Sequence, residues 1–473
     1  MFKKYSFLFL VLVLAGCTQI EGFLQEYKTS KILLLYTNDE HGHIYENDGW
    51  YKGVAMYEMW EEEEKNCKEC HVIKVSGGDN YTGTAVSTFF KGASMAEIMG
   101  LSGYRVSALG NHEFDFGEQE LKNNAAAAGM HYLCSNLLSK DKENLLDPGT
   151  VLYAGKTKIL FVSAITEDVK RISMSKPFVE SVIEKPENTV PGIISGENAD
   201  INIVVAHESH NEAKTWIPAL PKKPLVVFTA HDHKEAVEEE NGVIFVQNAG
   251  YLPSYAKVLI EKKGKNSKVV SVEIVPLKRE LELKSEGALQ VKKTMDKYLT
   301  QLEKSTGEKL ISAEKPLSTP ALQKLFVCSM LRAFPEYDVA ISNPGGFRDS
   351  MKAGDVKKSD ILSIFPFDNF IVTATVQGED LVFDIEKSEN AYCGAVKKKG
   401  KWFINGEEID RTKTYKIVTT DFVYQGGDGY RFTNSQGVTT TVSWRDPIEN
   451  YLIESSEKGL NLEKASKELL KGM

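Results

Sequence analysis

The chain has 473 residues, 42% hydrophobic, 10% aromatic and 26% charged, enough apolar material for packed cores and too much for a disordered polymer. Its 57 Lys and Arg against 66 Asp and Glu leave a net charge of −9, which offers a polyanion no long-range attraction and argues against general nucleic-acid binding. The length predicts two or three domains, and the one long apolar run sits at the extreme N-terminus, which excludes a polytopic membrane protein.

Residues 1–16 hold Lys3 and Lys4, the apolar stretch Phe7–Ala15 and Gly16, the parts of an export signal too short to persist as a spanning helix. Leu14-Ala15-Gly16-Cys17 resembles the lipobox of bacterial lipoproteins, which implies lipidation of Cys17, a tether over 17–30 and a membrane-anchored, periplasmic or cell-surface protein. A plain secretory signal is the alternative. Of the five later cysteines, Cys67, Cys70, Cys134, Cys328 and Cys393, at least one is unpaired within the chain. Cys67-Lys68-Glu69-Cys70-His71 matches the c-type haem pattern. It lies between a helical Tyr57–Lys65 and the apolar Val72–Val75, so the expectation is a connector with an optional local disulfide.

The next stretch alternates short apolar runs with helical-period segments, the pattern of βαβ units. Each run leads into polar residues. Ile32–Tyr36 precedes Thr37-Asn38-Asp39-Glu40-His41-Gly42, Val72–Val75 precedes Gly77-Gly78-Asp79-Asn80, and Val106–Leu109 precedes Gly110-Asn111-His112-Glu113-Phe114-Asp115. Further on, Ile201–Ala206 precedes His207, and Leu225–Thr229 precedes Ala230-His231-Asp232-His233. Ligands in α/β proteins gather beyond the carboxyl ends of strands, so five strands of one sheet would bring Asp39, His41, Asp79, Asn111, His207, His231 and His233 around one crevice. Oxygen and imidazole donors without thiolate suit two first-row divalent ions, Zn, Mn, Fe or Co, with Asp79 as the bridging carboxylate. Such a pair clamps a phosphoryl group and activates water, which points to phosphoester hydrolysis. His43, His71, His131 and His210 fall outside the recurring positions and are treated as non-ligands, with His43 and His210 as outer supports.

These runs resemble, in order, the signature of calcineurin-like metallophosphoesterases, and Tyr36–His43 with Gly110–Asp115 resembles the bacterial 5′-nucleotidase/UDP-sugar hydrolase branch. The resemblance implies an α/β fold, with an N-terminal four-layer metallophosphoesterase sandwich over 31–284 and a smaller C-terminal substrate-binding domain. It assigns Asp39, His41, Asp79 and His233 to one metal and Asp79, Asn111, His207 and His231 to the other. It also sets His112 beside the phosphate as a catalytic group, oriented by Asp115. An imidazolium there would stabilise charge on the transferred group and the leaving oxygen. Ala230 stands where the family usually has Gly.

From Ser285 the residues Ala288, Val291, Met295, Tyr298, Leu299 and Leu302 recur at helical spacing, and Gly307 offers a stop, so 285–309 is predicted as a helical linker ahead of a domain over 310–473. Three runs there resemble the 5′-nucleotidase C-terminal domain. Ser342-Asn343-Pro344-Gly345-Gly346-Phe347-Arg348 implies a substrate-binding loop in which Asn343, Gly345 and Gly346 approach an anion and Arg348 grips phosphate. Phe365-Pro366-Phe367-Asp368-Asn369 supports the pocket. Asp421–Tyr430 implies Phe422 as one wall of a base clamp and Asp428 as a ribose acceptor. Two features depart from the family: a phosphate-gripping arginine is missing before Leu322–Leu331, for which Arg332 is the candidate substitute, and the second clamp aromatic is lost, for which Tyr392 is the candidate. Gly155-Lys156-Thr157 lacks the first glycine of a P-loop and is expected to be a strand-to-strand turn.

The expected protein is an exported hydrolase that converts nucleoside 5′-monophosphate to nucleoside and phosphate with water activated by two metals. UDP-sugars, nucleoside di- and triphosphates and 2′,3′-cyclic nucleotides are alternative substrates. A surface nucleotide-binding or adhesion protein without catalysis is the alternative of another class, disfavoured because the full donor set and the His112–Asp115 pair are retained.

Overall fold

The structure is a computed structural model that describes residues 29–46, 48–432 and 435–471. The export signal and the lipidation site at Cys17 lie outside the described residues. Two six-stranded sheets stack in the first half of the chain. In one, the strands run in the order Asn266–Pro276, Ser254–Lys263, Ser30–Thr37, Cys70–Ser76, Tyr104–Ala108, His131–Leu133; in the other, Ala236–Glu240, Val243–Gln247, Val226–Thr229, Ile201–His207, Thr157–Ile165, Gly149–Ala154. The central strands of each are parallel, and their apolar runs are unbroken because both faces are covered. Ile32, Leu34 and Tyr36 meet Phe161, Ile203, Val205 and Phe228 between the sheets. Leu33 and Leu35 face the helices Lys52–Asn66 and Ala93–Ser102 on one outer side. On the other, Val204 and Phe245 pack against Val190, Ile194 and Trp216 of the helices Pro186–Gly196 and His210–Trp216. The result is a four-layer helix–sheet–sheet–helix sandwich.

One expectation is corrected here. The five strands that precede the candidate ligands belong to two sheets, three to the first and two to the second. A run of apolar residues reports that a strand is buried on both faces, and this holds equally in one wide sheet and in two stacked ones. Their carboxyl ends still meet. Tyr36 Oη donates to the Thr229 carbonyl at 2.6 Å, and His207 Nδ1 donates to the Gly77 carbonyl at 2.7 Å, both bonds running from one sheet to the other.

The helix Glu286–Thr306 follows, capped by Ser285 Oγ, which accepts from the Ala288 N–H. Glu58 on the helix Lys52–Asn66 accepts from Lys284 N, Ser285 N and Ser285 Oγ at 3.2, 3.0 and 2.8 Å, and Ala288, Val291 and Met295 pack into the first-half core. The second half is built on a mixed five-stranded sheet in the order Tyr392–Cys393, Val339–Ile341, Thr414–Thr420, Phe370–Gln377, Gln436–Ser443. The helices Thr319–Ala333, Asp446–Glu457 and Leu462–Lys471 cover one face, and the helix Gly378–Lys387 covers the other. The halves touch where Ser363 Oγ accepts from Ala85 N at 3.0 Å and where Leu362 packs with Ala85, Val86 and Leu302. Gly155-Lys156 forms the turn of a hairpin, as expected. Among the described residues no helix is long and apolar enough to cross a membrane.

Cys67 pairs with Cys70 and Cys328 with Cys393, while Cys134 is buried outside any disulfide. The local disulfide consumes both thiols that haem attachment would need. Cross-links confine the unfolded chain more the longer the loop they close, with the logarithm of its length. Cys328→Ser, which opens a separation of 65 residues, is therefore expected to lower unfolding stability by about 2–4 kcal/mol. Cys67→Ser, which opens a separation of 3, should cost much less. Urea titration of the oxidised variants compares the two, and equal losses would rule out loop closure as the source.

Candidate metal centre

The loops that leave the five strands turn sharply, and the donors themselves occupy the turns. Asp39, His41, Asp79, His231 and His233 all have left-handed backbone, with φ of 51°, 47°, 58°, 77° and 58°. Such a conformation in a non-glycine residue costs about 1–3 kcal/mol and persists only where the surroundings enforce it. Glu113 does much of the enforcing. Its carboxylate accepts from Asp79 N at 2.9 Å, Asn80 N at 2.8 Å and Gly110 N at 2.6 Å. The backbone approaches so closely that a Cβ at Gly110 would fall 2.1 Å from Asp79 Oδ1, and one at Gly250 would fall 2.6 Å from the His233 ring.

Two donor groups result. Asp39, His41 and His233 form one and Asp79, His207 and His231 the other, with the donor atoms of each within 4.8 Å of one another. Asp79 Oδ2 stands between them, 3.7 Å from His41 Nε2 and 3.3 Å from His207 Nε2. Asn111 Oδ1 lies 3.2 Å from His207 Nε2. The tautomers follow from the partners: His41 Nδ1 donates to the Thr82 carbonyl at 2.8 Å and His207 Nδ1 to Gly77, which leaves each Nε2 lone pair turned inward. His41 Nε2 is buried without a hydrogen-bond partner. Burial pushes the Asp39 carboxyl up to about 7 and pushes His231 and His233 down to about 4, so both rings are neutral and ready to ligate. An orphaned imidazole nitrogen between two buried carboxylates, with no thiolate present, fits a pair of divalent cations.

His112 sits at the mouth of this group. Its Nδ1 donates to Asp115 Oδ2 at 2.8 Å, and its Nε2 accepts from Arg348 Nη2 at 3.0 Å, a bond that joins the two halves of the chain. Burial opposes charging of the ring, but the Asp115 and Asp79 carboxylates outweigh it and hold its proton affinity above the ordinary value. Arg348 lies over the Phe367 ring at 5.2 Å, and its Nε is buried without a partner. One cavity of about 520 Å³ runs from these groups to Phe422 and Asp428. Asn343 Nδ2 donates to Asp428 Oδ2 at 2.8 Å. Gly345 and Gly346 line the wall between, and a Cβ at Gly346 would sit 3.1 Å from Trp444. Asp39 and His207 form the buried floor behind it, both fully shielded from solvent.

Two sequence candidates lie elsewhere. Arg332 pairs with Glu454 at 2.7 Å and covers the Tyr451 ring, so it does not replace the missing arginine. Tyr392 packs edge-on against Trp402 under Lys324 and does not line the cavity. Both are claimed by packing partners from other elements. Of the outer histidines, His43 bonds Glu46 and stacks on Tyr251, and Tyr251 also meets the His41 and His233 rings. Sequence reasoning assigned no role to Glu113, Tyr251 or Gly427, and gave Phe367 only as part of a run that supports the pocket. The role of Gly427 emerges only in the fold, where a Cβ would meet the Phe422 ring at 2.5 Å.

The four-layer sandwich with its donor-lined crevice, closed by a second α/β unit, has the architecture of a two-part phosphoesterase. Residues 304–400 and 382–435 match the 5′-nucleotidase, C-terminal domain family. Protein UshA of Escherichia coli is 26% identical, covering 88% of this chain and 90% of its own length. The 5′-nucleotidase of Vibrio cholerae is 24% identical over 95% of each. The crystal structure of a 5′-nucleotidase precursor from Thermus thermophilus superposes with a TM-score of 0.75 at 19% identity, covering 90% of this chain and 96% of that one. Over most of its length the chain is thus similar to 5′-nucleotidases, and its second half matches their C-terminal domain.

The close approach at Gly110 gives a direct test. Gly110→Ala forces Asp79 and Glu113 apart, so affinity for Mn or Zn should fall at least tenfold in competition with a chelator. Unchanged metal affinity would show that the cradle does not set the donor positions.

Proposed function

We propose that the protein is an exported, metal-dependent phosphohydrolase that cleaves nucleoside 5′-monophosphate to nucleoside and phosphate. The observation that carries this reading is the single cavity in which two metal-donor groups, the His112–Arg348 pair and the Phe422–Asp428 end follow one another. Asp39, His41, Asp79 and His233 hold one ion and Asp79, Asn111, His207 and His231 the other. Two divalent ions supply polarisation of the phosphoryl group and activation of water at neutral pH. The remaining work falls to the side chains. Arg348 takes phosphate oxygens through its planar fork, a role for which its unpartnered Nε is free. His112, kept in orientation by Asp115, takes a proton at Nε2 once Arg348 turns to the phosphate, and then offers a hydrogen bond to the charge that develops on the phosphoryl group and leaving oxygen. Asn343, Gly345 and Gly346 shape the path, Phe422 stacks the base, and Asp428 accepts from the ribose hydroxyls.

The cavity also bears on substrate charge. Among the described residues that line it, Arg348 is the only Arg or Lys, whereas Asp421 and Asp428 lie on the second-half wall. A second phosphate directed toward Phe422 would find carboxylates and no cation, which favours monophosphates over diphosphates and nucleotide sugars. The export signal over 1–16 and a lipid on Cys17 would place the enzyme on a membrane surface. The metallophosphoesterase unit over 31–284, the linker over 285–309 and the substrate unit over 310–473 complete the proposed organisation.

Phosphate release by the full chain decides the matter. With Mn, Zn or Co present, nucleoside monophosphates should turn over faster than UDP-sugar or nucleoside triphosphate; EDTA should abolish the activity and added metal restore it. His112→Ala should lower kcat about 100-fold or more with bound metal unchanged. Turnover that is indifferent to EDTA would sink the reading.

A further inference from the structure

A nucleobase held on one face leaves its other face in water, so a slot that gains the full benefit of stacking needs two walls. Phe422 supplies one, its ring lying against Gly427. Tyr392 is committed to Trp402 and is absent from the cavity. The cavity wall does include Ile172 and Met174, which come from the first half of the chain and are only half-buried. They lie at the nucleoside end, because the helix Val169–Ile172 packs against the turn Gly427–Gly429, which carries Asp428 and underlies the Phe422 ring.

The segment is held in place by its own anchors. Val169 and Phe178 are fully buried on either side of it, and Ser173 N donates to the Val169 carbonyl at 2.8 Å. Phe178 meets Phe114 edge-to-face at 5.1 Å, and Phe114 lies two residues beyond His112. We propose that Ile172 and Met174 form the second wall of the nucleobase slot, facing Phe422, and that they set how tightly the base is held. This inference rests on the nucleotide reading above. A branched side chain and a flexible thioether give an apolar wall that adapts to bases of different size. The wall is remote from the reacting phosphorus and touches ground state and transition state alike, so its loss raises KM and spares kcat.

The test compares AMP with ribose 5-phosphate, which lacks the base, on the metal-loaded full chain. Met174→Gln and Ile172→Ala should each raise KM for AMP roughly five- to tenfold, the range expected for losing part of a stacking contact, with kcat within threefold. KM for ribose 5-phosphate should move less than twofold. Met174→Phe, which restores an aromatic wall, should lower KM for AMP, and its melting temperature together with that of Met174→Gln guards against a folding defect. Equal shifts for both substrates, or an unchanged KM for AMP in all three variants, would overturn the second wall while leaving the nucleotide reading intact. Failure of the unmodified chain to hydrolyse AMP would overturn both.

Discussion

Two carboxylates, Asp39 and Asp79, are buried at the place where two sheets end. Taking an ionised carboxylate out of water costs several kcal/mol even after the protein relaxes, and the surroundings answer that cost in order. His231 N donates to both oxygens of Asp39, His112 N donates to Asp79 Oδ1, and imidazole nitrogens converge on the oxygens that remain. Such a cluster of buried carboxylate and imidazole donors fits the pair of divalent cations proposed for it. The left-handed backbone at five donors is tolerable because Glu113 and the two sheet cores beneath leave the loops no alternative path. The packing of Phe161, Ile203 and Phe228 under Tyr36 thus supports the candidate metal centre as much as the donors do.

The cavity is polarised along its length. Cation-holding groups, His112 and Arg348 gather at one end, while Asp421 and Asp428 occupy the other. A nucleotide, with a dianionic head and a neutral body rich in hydroxyl and amino donors, fits this gradient in one direction only. The overall charge of −9 does not oppose this, since the proposed ions and a buried guanidinium would be the largest local charges. Asp368 is drawn off into an ion pair with Arg445 at 2.7 Å, which leaves Asp428, held by Asn343, as the acceptor nearest the substrate loop.

Much of this was legible in the sequence because the chemistry is local. Each donor stands at the end of its own apolar run, and glycines flank the donors wherever backbone passes close, so order and spacing singled out Asp39, His41, Asp79, Asn111, His207, His231 and His233, and the family resemblance added His112; the structure brings these residues together at one crevice. Sheet membership was not legible, because the residues that decide it belong to partner strands. Tyr392 and Arg332 went wrong for the same reason: Trp402 and Glu454 claim them from outside their own segments. Ile172 and Met174 carried no signal at all. Half-buried apolar residues in an irregular stretch look like any loop until the turn at Gly427–Gly429 is set beside them.

The pairing of His112 with Arg348 is the most demanding geometric requirement, because its partners come from opposite halves of the chain. The helix Glu286–Thr306 packs into the first-half core through Ala288, Val291 and Met295, and its N-terminus is tied to Glu58. It is therefore an extension of the first half, and the second half docks on its C-terminal end and on the segment around Ala85, by Lys357 on Glu303, Ser363 on Ala85 N and Leu362 among Ala85, Val86 and Leu302. These contacts are few, but Ser363 stands two residues before Phe365, and Phe367 carries the guanidinium of Arg348 on its face. Arg348 N in turn donates to the Ile364 carbonyl at 2.9 Å. The segment that docks the second half is the same one that holds the arginine, so closure of the interface and placement of Arg348 against His112 are one structural event.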